Sequence, residues 1–289
     1  MLSLTVGQKH RIAAVASRAT PPVPPREPGG SSRRAPARRR GGTLNAMVVA
    51  LYVTLVVLAG AASVVSAGAP DLSVGALPIL FWLLANLLGE VLWLPAPKGR
   101  GYLSMANAAN FATLLILPLA LAVPVTAAAG FFADLIFRRR VWYRALFNAG
   151  MCAVTVYVTS DVFHRLGGTS GSLDALTSPL NAVPLAAATA VYFLVNTWLV
   201  AGVIALHRDH PVWTVWRESF AFAYELVGVG VLHILGFIFA ALFCTWGYMS
   251  AFVAVFLTYF IRDAYVRYTA DTISRPATSA SPRKGSVLR

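Results

Sequence analysis

Residues 44–67 read LNAMVVALYVTLVVLAGAASVVSA, a stretch of 24 residues without a charged side chain. A helix needs about 20 predominantly apolar residues to cross roughly 30 Å of hydrocarbon. The stretch lacks the regular polar–apolar alternation that marks a half-buried strand or an amphipathic surface helix. It therefore predicts a membrane-spanning helix, and the rest of the chain shows whether that helix stands alone.

The composition of the whole chain is that of a multi-span membrane protein. Its 289 residues are 57% hydrophobic and 12% charged, with a mean hydropathy of +0.67. Soluble domains carry about 25% charged residues, because even a large globular core needs a polar surface. A soluble enzyme or binding domain is therefore excluded.

Eight apolar segments follow one another along the chain, and they predict an all-α membrane helix bundle. The third segment is short for a full span, which indicates a tilted or partly re-entrant helix. The predicted spans are 44–67, 75–94, 103–118, 120–137, 144–166, 181–206, 218–242 and 248–267.

The basic residues predict the orientation of these spans. With the N-terminus inside and eight alternating spans, 23 of the 24 Lys and Arg residues fall on the inner side, and only Arg165 falls outside. Cytoplasmic loops are enriched in Lys and Arg, so both termini are predicted to be cytoplasmic in a multi-pass plasma-membrane protein. The arginines of RRRVWYR, residues 138–144, then face anionic headgroups. The net charge of +13 therefore indicates membrane lipids as partners and no nucleic acid.

The chain divides into a bundle with a polar tail at each end. Residues 1–42 are rich in Pro, Gly, Ser and Arg, a composition that cannot bury enough apolar surface to fold. Residues 43–268 form the predicted bundle, and residues 269–289 form a polar tail predicted to be disordered. Met47, at the start of the first span, is an alternative start of the chain.

Polar side chains inside apolar spans are costly and are therefore candidates for a functional site. Asn86 and Glu90 lie one turn apart in the second span, and so share a face of that helix. The functional interpretation is a polar ligand pocket that opens inward and is completed by residues of other spans. The candidate ligand-binding residues are Asn86, Glu90, Asp134, Asn148, Asn196 and Glu225.

A structural interpretation stands beside the functional one. The carboxylates could instead pair at the membrane interface with arginines from residues 100, 138–140 or 144. This ion-pair interpretation is favoured for Asp134, which lies near a span end. Both interpretations stay open for Glu90 and Glu225, whose helices are predicted to be neighbours with both carboxylates facing the bundle interior.

The remaining chemistry-bearing residues indicate no catalysis. His233, among aliphatic residues, is predicted to be a satisfied packing residue. Asp161 and His164, three residues apart, have few potential partners for a metal in the short outer loops. Cys152 and Cys244 are predicted to lie toward opposite faces of the bilayer, which argues against a disulfide. The chain has no nucleophile elbow, zinc-protease, phosphate-loop or dinucleotide motif, so we expect no enzyme activity, no metal and no cofactor.

The order of the polar landmarks resembles a known arrangement. GEVLWLPAPKGRGYLS is followed by FFADLIFRRRVWYRALFNAG, VYFLVNTWLVAGVIAL, WRESFAFAYELVGVGVLHILG and TYFIRDAYVRYTADTIS. Over residues 44–273 this is similar to the MASE-type membrane sensor regions that precede HD-GYP and GGDEF output domains in bacterial cyclic-di-GMP signalling proteins. The resemblance implies a non-enzymatic sensory or ligand-binding module.

The resemblance stops where an output domain would begin. The last helix is followed by RPATSASPRKGSVLR, without an HD pair, a GYP or a GGDEF motif. We therefore expect an orphan module that acts on a separate cytoplasmic signalling protein or on a second copy of itself. The alternative is a small-molecule transporter subunit similar to the substrate-binding component of energy-coupling-factor transporters. Those bundles usually have about six spans, and a pocket that opens outward would favour them.

Overall fold

The computed structural model of the chain describes residues 40–95, 102–220 and 223–274, and within these ranges the chain is almost entirely helical. A π-helical turn, Ala133–Phe137, extends the α-helix Leu119–Phe132. Short 3₁₀ turns lie at Leu72–Val74, Pro179–Asn181 and Gly247–Met249. The described residues contain ten α-helices: α1 Arg40–Ser66, α2 Ala76–Val91, α3 Ala106–Ile116, α4 Leu119–Phe132, α5 Trp142–Arg165, α6 Leu173–Thr177, α7 Ala182–Arg208, α8 Val212–Ser219, α9 Ala223–Trp246 and α10 Ser250–Ser274.

A short antiparallel ribbon joins α2 to α3. Strand β1, Trp93–Pro95, pairs with β2, Tyr102–Ser104. The chain reverses here because α2 ends at Val91 and Pro95 and Pro97 cannot continue a helix. The predicted second span, 75–94, is therefore a helix of 16 residues followed by a strand, and the third is a helix of 11 residues.

Five helical segments of the described ranges are long and apolar enough to cross a membrane. They are Asn45–Ser66, Leu119–Phe137, Trp142–Arg165, Pro179–Arg208 and Leu226–Leu257, the last of which combines parts of α9 and α10. The shorter apolar helices are α2 and α3. The described residues therefore have the helical architecture of a membrane protein with five candidate spans, whereas the multi-pass topology, the count of eight spans and the orientation of the termini stay predictions.

Helix α5 is central to the packing. It packs against α1, α4 and α7, while α3 packs against α9 and α2. A Cβ added to Gly60 of α1 would collide with the backbone of Gly150 in α5, so these glycines permit the two helices to touch. The largest buried side chains include Trp82, Phe111 and Phe163.

Lipid-facing surface surrounds this core. Only 17% of the apolar window of α1 is buried within the chain, and its exposed side chains include Leu51, Leu55 and Leu58. Such a continuous apolar surface needs a non-aqueous environment. Cys152 and Cys244 are both free thiols, as the sequence predicts.

The helices at the two ends of the described chain are longer than predicted. Helix α1 begins at Arg40, inside the predicted tail of residues 1–42. Helix α10 continues to Ser274, past the predicted boundary at residue 268. Just before that boundary, an i,i+4 ion pair joins Arg267 to Asp263 with an N–O distance of 2.7 Å. The predictions for residues 1–39 and 275–289 lie outside the described residues.

Candidate functional site

An arginine from the turn after α4 ties together the ends of two helices. Arg138 Nη2 donates to the Glu90 carboxylate Oε2 at 2.7 Å and to the Glu90 backbone carbonyl at 2.8 Å. Arg138 Nη1 donates to Asp134 Oδ1 at 2.7 Å. Glu90 ends α2 and Asp134 lies in the π-helical turn, so a single guanidinium joins α2 to α4. We call Glu90, Asp134, Arg138 and Arg140 the charged network, and the end of the bundle where it lies the basic end.

Local backbone geometry positions Asp134 for this role. In the π-helical turn, the Arg138 amide donates a hydrogen bond of 3.1 Å to the carbonyl of Ala133. The Arg140 amide donates one of 2.8 Å to the carbonyl of Asp134. Between them Arg139 adopts a left-handed conformation with φ 49°, which reverses the chain before α5. Arg140 Nη1 can therefore reach back to Asp134 Oδ2 at 3.3 Å.

The charges of the network balance. Two carboxylates face two guanidinium groups, and Asp134 is fully buried while Glu90 is nearly so. Burial lowers the pKa of Arg138, but the Glu90 and Asp134 carboxylates raise it, and the net pKa lies above its ordinary value. Arg138 is therefore charged, and a buried carboxylate finds the opposite charge that it needs. Ser104 Oγ adds a long hydrogen bond of 3.5 Å to Glu90 Oε2.

Two predicted site residues lie one turn deeper and bond elsewhere. Asn86 Nδ2 donates to the carbonyl of Trp82 and to Thr113 Oγ1, both at 2.7 Å. Asn148 is half-buried, and its Nδ2 donates at 3.4 Å to the carbonyl of Gly130, one turn before Asp134 on α4. These amides flank the charged network without belonging to it.

Of the other two predicted residues, Asn196 lies apart from the charged network. Asn196 is half-buried on α7, beside Thr197, whose hydroxyl accepts a hydrogen bond of 2.9 Å from Trp216 Nε1. Glu225 belongs to α9, but its side chain lies outside the described residues. The predicted meeting of Glu90 and Glu225 therefore stays a prediction. Helices α2 and α9 do touch through Trp82, whose ring centroid lies 5.1 Å from that of Phe239.

The ion-pair interpretation of Asp134 and Glu90 matches the described contacts. Among the arginines that the sequence offered, Arg138 and Arg140 are the partners. Arg138 follows Asp134 by four residues, the spacing of neighbours on a helix surface. The ion pair between Asp134 and Arg138 could therefore be predicted from the sequence. The contribution of Ser104 depends on the ribbon, and that of the Glu90 carbonyl depends on the position where α2 ends; the sequence predicted neither.

A second buried polar cluster lies near the middle of α9. The His233 ring stacks on Phe111 at a centroid distance of 4.3 Å and meets Tyr192 edge-on at 4.7 Å. Asn110 Nδ2 donates to the Tyr192 hydroxyl at 3.0 Å, and that hydroxyl donates to Asn107 Oδ1 at 3.4 Å. We call Asn107, Asn110, Phe111, Tyr192 and His233 the central cluster.

The prediction that His233 is a satisfied packing residue is only half right. The side chain is 2% exposed and packs between aromatic rings, but neither ring nitrogen has a hydrogen-bond partner among the described residues. The reason is its surroundings, since Phe111 presents a ring face and Tyr192 directs its hydroxyl to asparagines.

Asp161 and His164 lie at the end of α5 that is far from the charged network. Asp161 pairs with Arg165 at 2.8 Å, and His164 Nδ1 lies 2.8 Å from the Ser160 carbonyl.

An apolar groove borders the charged network. It encloses about 280 Å³ between α2, α3, α9 and α10, and we call it the α10 groove. Leu88, Gly89 and Leu92 form its wall beside Glu90, and Ala254 and Val255 form its wall on α10. Every lining residue is apolar or glycine, so the groove suits an apolar molecule rather than an ion.

The described geometry thus joins apolar helices of membrane length, a charged network and a groove that reaches the last helix. No curated protein and no solved structure is detectably similar to the chain. The profile of the MASE9 family matches residues 101–262, more than half of the 289 residues. The match includes Asp134, Arg138 and His233, whereas Glu90 precedes it. The resemblance to MASE-type sensor regions is confirmed, and the chain belongs to the MASE9 family of membrane-associated sensor domains.

Proposed function

We propose that the chain is a non-enzymatic sensor of a small apolar or lipid-like molecule, which binds in the α10 groove and changes the position of α10. The observation that carries this proposal is that one groove has walls from both α2 and α10. Helix α2 ends in the charged network, and α10 runs for 25 residues to Ser274. An occupant would therefore contact the network's helix and the last helix at once.

The chemistry of the groove supports an apolar ligand. Its volume of about 280 Å³ is close to the lower end of the roughly 300–1,000 Å³ typical of small-molecule sites. A membrane protein can take up such a ligand directly from the bilayer. The polar candidate residues Asn86, Glu90, Asp134 and Asn148 then act around the groove, and a direct ligand-binding role for them stays a prediction, as it does for Asn196 and Glu225.

The charged network supports a coupling role. Gly89 and Leu88 line the groove, and the next residue, Glu90, holds Arg138 through its side chain and its carbonyl. A ligand shifts an equilibrium only by its difference in affinity for two states. Movement of α2 away from α4 would break the bonds to Glu90 while Asp134 retains Arg138, so the network offers two distinct arrangements.

The basic residues support a cytoplasmic output. With eight alternating spans, the positive-inside rule predicts that the basic end and the end of α10 lie on the cytoplasmic side, together with 23 of the 24 basic residues. We infer that α10 acts on a cytoplasmic signalling protein or on a second copy of the chain, in a bacterial plasma membrane. The transporter-subunit alternative has no observation in its favour among the described residues.

The test replaces the unknown ligand by a side chain. Ala254→Trp fills the α10 groove from α10, and Phe252→Trp is the matched control, because Phe252 lies on the same helix and is exposed but does not line this groove. Spin labels at residues 139 and 267, in a variant with both native cysteines replaced by serine, report the distance between the basic turn and α10 in phosphatidylcholine nanodiscs.

We expect Ala254→Trp to move the distance distribution by on the order of 1–2 Å, the scale of helix shifts in switching proteins. Phe252→Trp should leave it unchanged. Adding Glu90→Gln to Ala254→Trp should alter the shift, since the network is part of the coupling. Identical distributions for Ala254→Trp and the unfilled protein would contradict the proposal.

A further inference from the structure

A second, larger groove lies against α1, the least buried of the five candidate spans. It encloses about 770 Å³ between α1, α5 and α7, and we call it the α1 groove. Helix α1 contacts α5 closely where Gly60 meets Gly150. It contacts α7 where the Tyr52 hydroxyl donates a hydrogen bond of 3.0 Å to the Leu199 carbonyl. The groove runs between the glycine contact and the basic end.

The length of the α1 groove matches one leaflet of a bilayer. On α1 it extends from Asn45 to Leu58, a rise of about 20 Å along a helix. Half of the roughly 30 Å hydrocarbon layer plus part of the headgroup region has a similar depth. The walls are apolar along most of this length, with Val49, Val53 and Val57 on α1. An extended acyl chain therefore fits the groove in length and in chemistry.

The mouth of the groove has the side chains of a headgroup site. Trp142 and Tyr143 of α5 line it and are 64% and 44% exposed, as expected for aromatic residues at a membrane interface. His207 of α7 lines it from the other side. The Arg144 guanidinium carbon lies 6.0 Å from the centre of the Tyr143 ring.

The mouth carries net positive charge. Its exposed flanking residues are Arg139, Arg144, His207, Arg208 and Asp209, with a net charge of +2 when His207 is neutral. In the described parts of the chain, the ion pairs of this end engage Arg138 and Arg140, and none engages Arg144 or Arg208. These two arginines keep their charge available for an anion outside the protein.

We propose that the α1 groove binds an anionic phospholipid of the leaflet at the basic end. One acyl chain lies along α1, the glycerol region meets Trp142 and Tyr143, and the phosphate accepts hydrogen bonds from Arg144 and Arg208. Arginine suits this role because its planar fork donates two parallel hydrogen bonds to a phosphate. The site is separate from the α10 groove and does not depend on the sensor function.

The test compares two lipids of equal chain composition on the full chain. Native mass spectrometry of the protein in detergent follows binding of palmitoyl-oleoyl phosphatidylglycerol and of palmitoyl-oleoyl phosphatidylcholine. We expect phosphatidylglycerol to bind about 25-fold more tightly, since one basic residue near an anionic lipid contributes about fivefold. Equal affinities would overturn the proposal.

Three variants locate the site. Arg144→Gln combined with Arg208→Gln should lower the affinity for phosphatidylglycerol about 25-fold and that for phosphatidylcholine much less, because the choline cation offsets the charge of its phosphate. Ala50→Phe, which fills the groove, should lower binding of both lipids. Arg165→Gln is the control, because Arg165 is an exposed arginine at the far end of α5. Thermal unfolding should be similar in all variants, which shows that they fold.

Two outcomes would contradict this location. If Arg165→Gln weakens phosphatidylglycerol as much as the double variant does, the preference reflects total charge and no site. If Ala50→Phe leaves both affinities unchanged, the lipid lies outside the α1 groove.

Discussion

The charged network and the central cluster are both buried and polar, but they differ in how completely their groups are bonded. In the network, Glu90 and Asp134 both accept hydrogen bonds from Arg138. In the central cluster, both nitrogens of His233 lack a described partner. An ionised group cannot be buried without an opposite charge. A neutral imidazole loses less hydration free energy on burial, and it can pack against aromatic rings. We therefore expect substitutions in the network to lower stability and the position of His233 in the cluster to tolerate change.

The largest effect is expected at Asp134. Asp134→Asn keeps the shape of the side chain but leaves Arg138 and Arg140 with Glu90 as their one remaining carboxylate in the charged network, which should cost about 3 kcal/mol, the low end of the range for breaking a buried pair. The measurement is the free energy of unfolding from detergent titration in mixed micelles. Asp161→Asn, in the exposed pair with Arg165, is the control and should cost about 0–1 kcal/mol. Equal losses at the two positions would remove the distinction between buried and exposed pairs.

A somewhat smaller loss is expected at Glu90. Glu90→Gln retains an oxygen that accepts from Arg138 but loses the charge, so the free energy of unfolding should fall by about 1.5–3 kcal/mol, the contribution of a hydrogen bond to a charged group. Ser104→Ala is the control, because it removes the 3.5 Å bond to Glu90 and the 3.2 Å bond from the Ala106 amide but keeps the ion pair, and it should cost no more than about 1 kcal/mol. Unchanged stability for Glu90→Gln would instead favour the prediction that Glu90 is a ligand residue.

The bonded half of the central cluster should resemble the network at lower cost. Tyr192→Phe leaves the Asn110 amide without its acceptor, which should lower the free energy of unfolding by about 1–3 kcal/mol. Tyr157→Phe is the matched control, because Tyr157 is half-buried and its hydroxyl has no described hydrogen bond. A loss of the same size in both variants would show that the Asn110–Tyr192 bond contributes little.

The smallest effect is expected at His233. His233→Phe replaces an imidazole whose nitrogens have no described partner by an apolar ring, and the stability should stay within about 1 kcal/mol of the original or rise. His164→Phe, which removes a bonded imidazole, should cost about 0.5–1.5 kcal/mol. A larger loss at His233 than at His164 would mean that the His233 nitrogens are bonded in the membrane, and the contrast with the charged network would then disappear.

Much of the architecture was predictable because a bilayer imposes simple rules. Apolar stretches such as residues 44–67 must be helical, since every backbone polar group in hydrocarbon needs an internal partner. The boundaries were less predictable. Apolar residues continue through Trp93 and Leu94, so composition could not distinguish the end of α2 from the start of the ribbon. The short helix α8 and the extension of α10 to Ser274 were missed for a similar reason, because polar side chains beyond the bilayer no longer constrain the backbone.

The sequence by itself determined that this is a helical membrane protein and that its basic residues lie at the ends of apolar segments. It also identified the polar side chains that lie inside those segments. Only the tertiary structure decided their partners. Glu90 and Arg138 are 48 residues apart, and Asn110 and Tyr192 are 82 apart, so no local periodicity relates them. Hydrophobicity acts on each segment separately, whereas the pairing of a buried charge depends on which helices pack together, and that depends on contacts such as the close approach of Gly60 and Gly150.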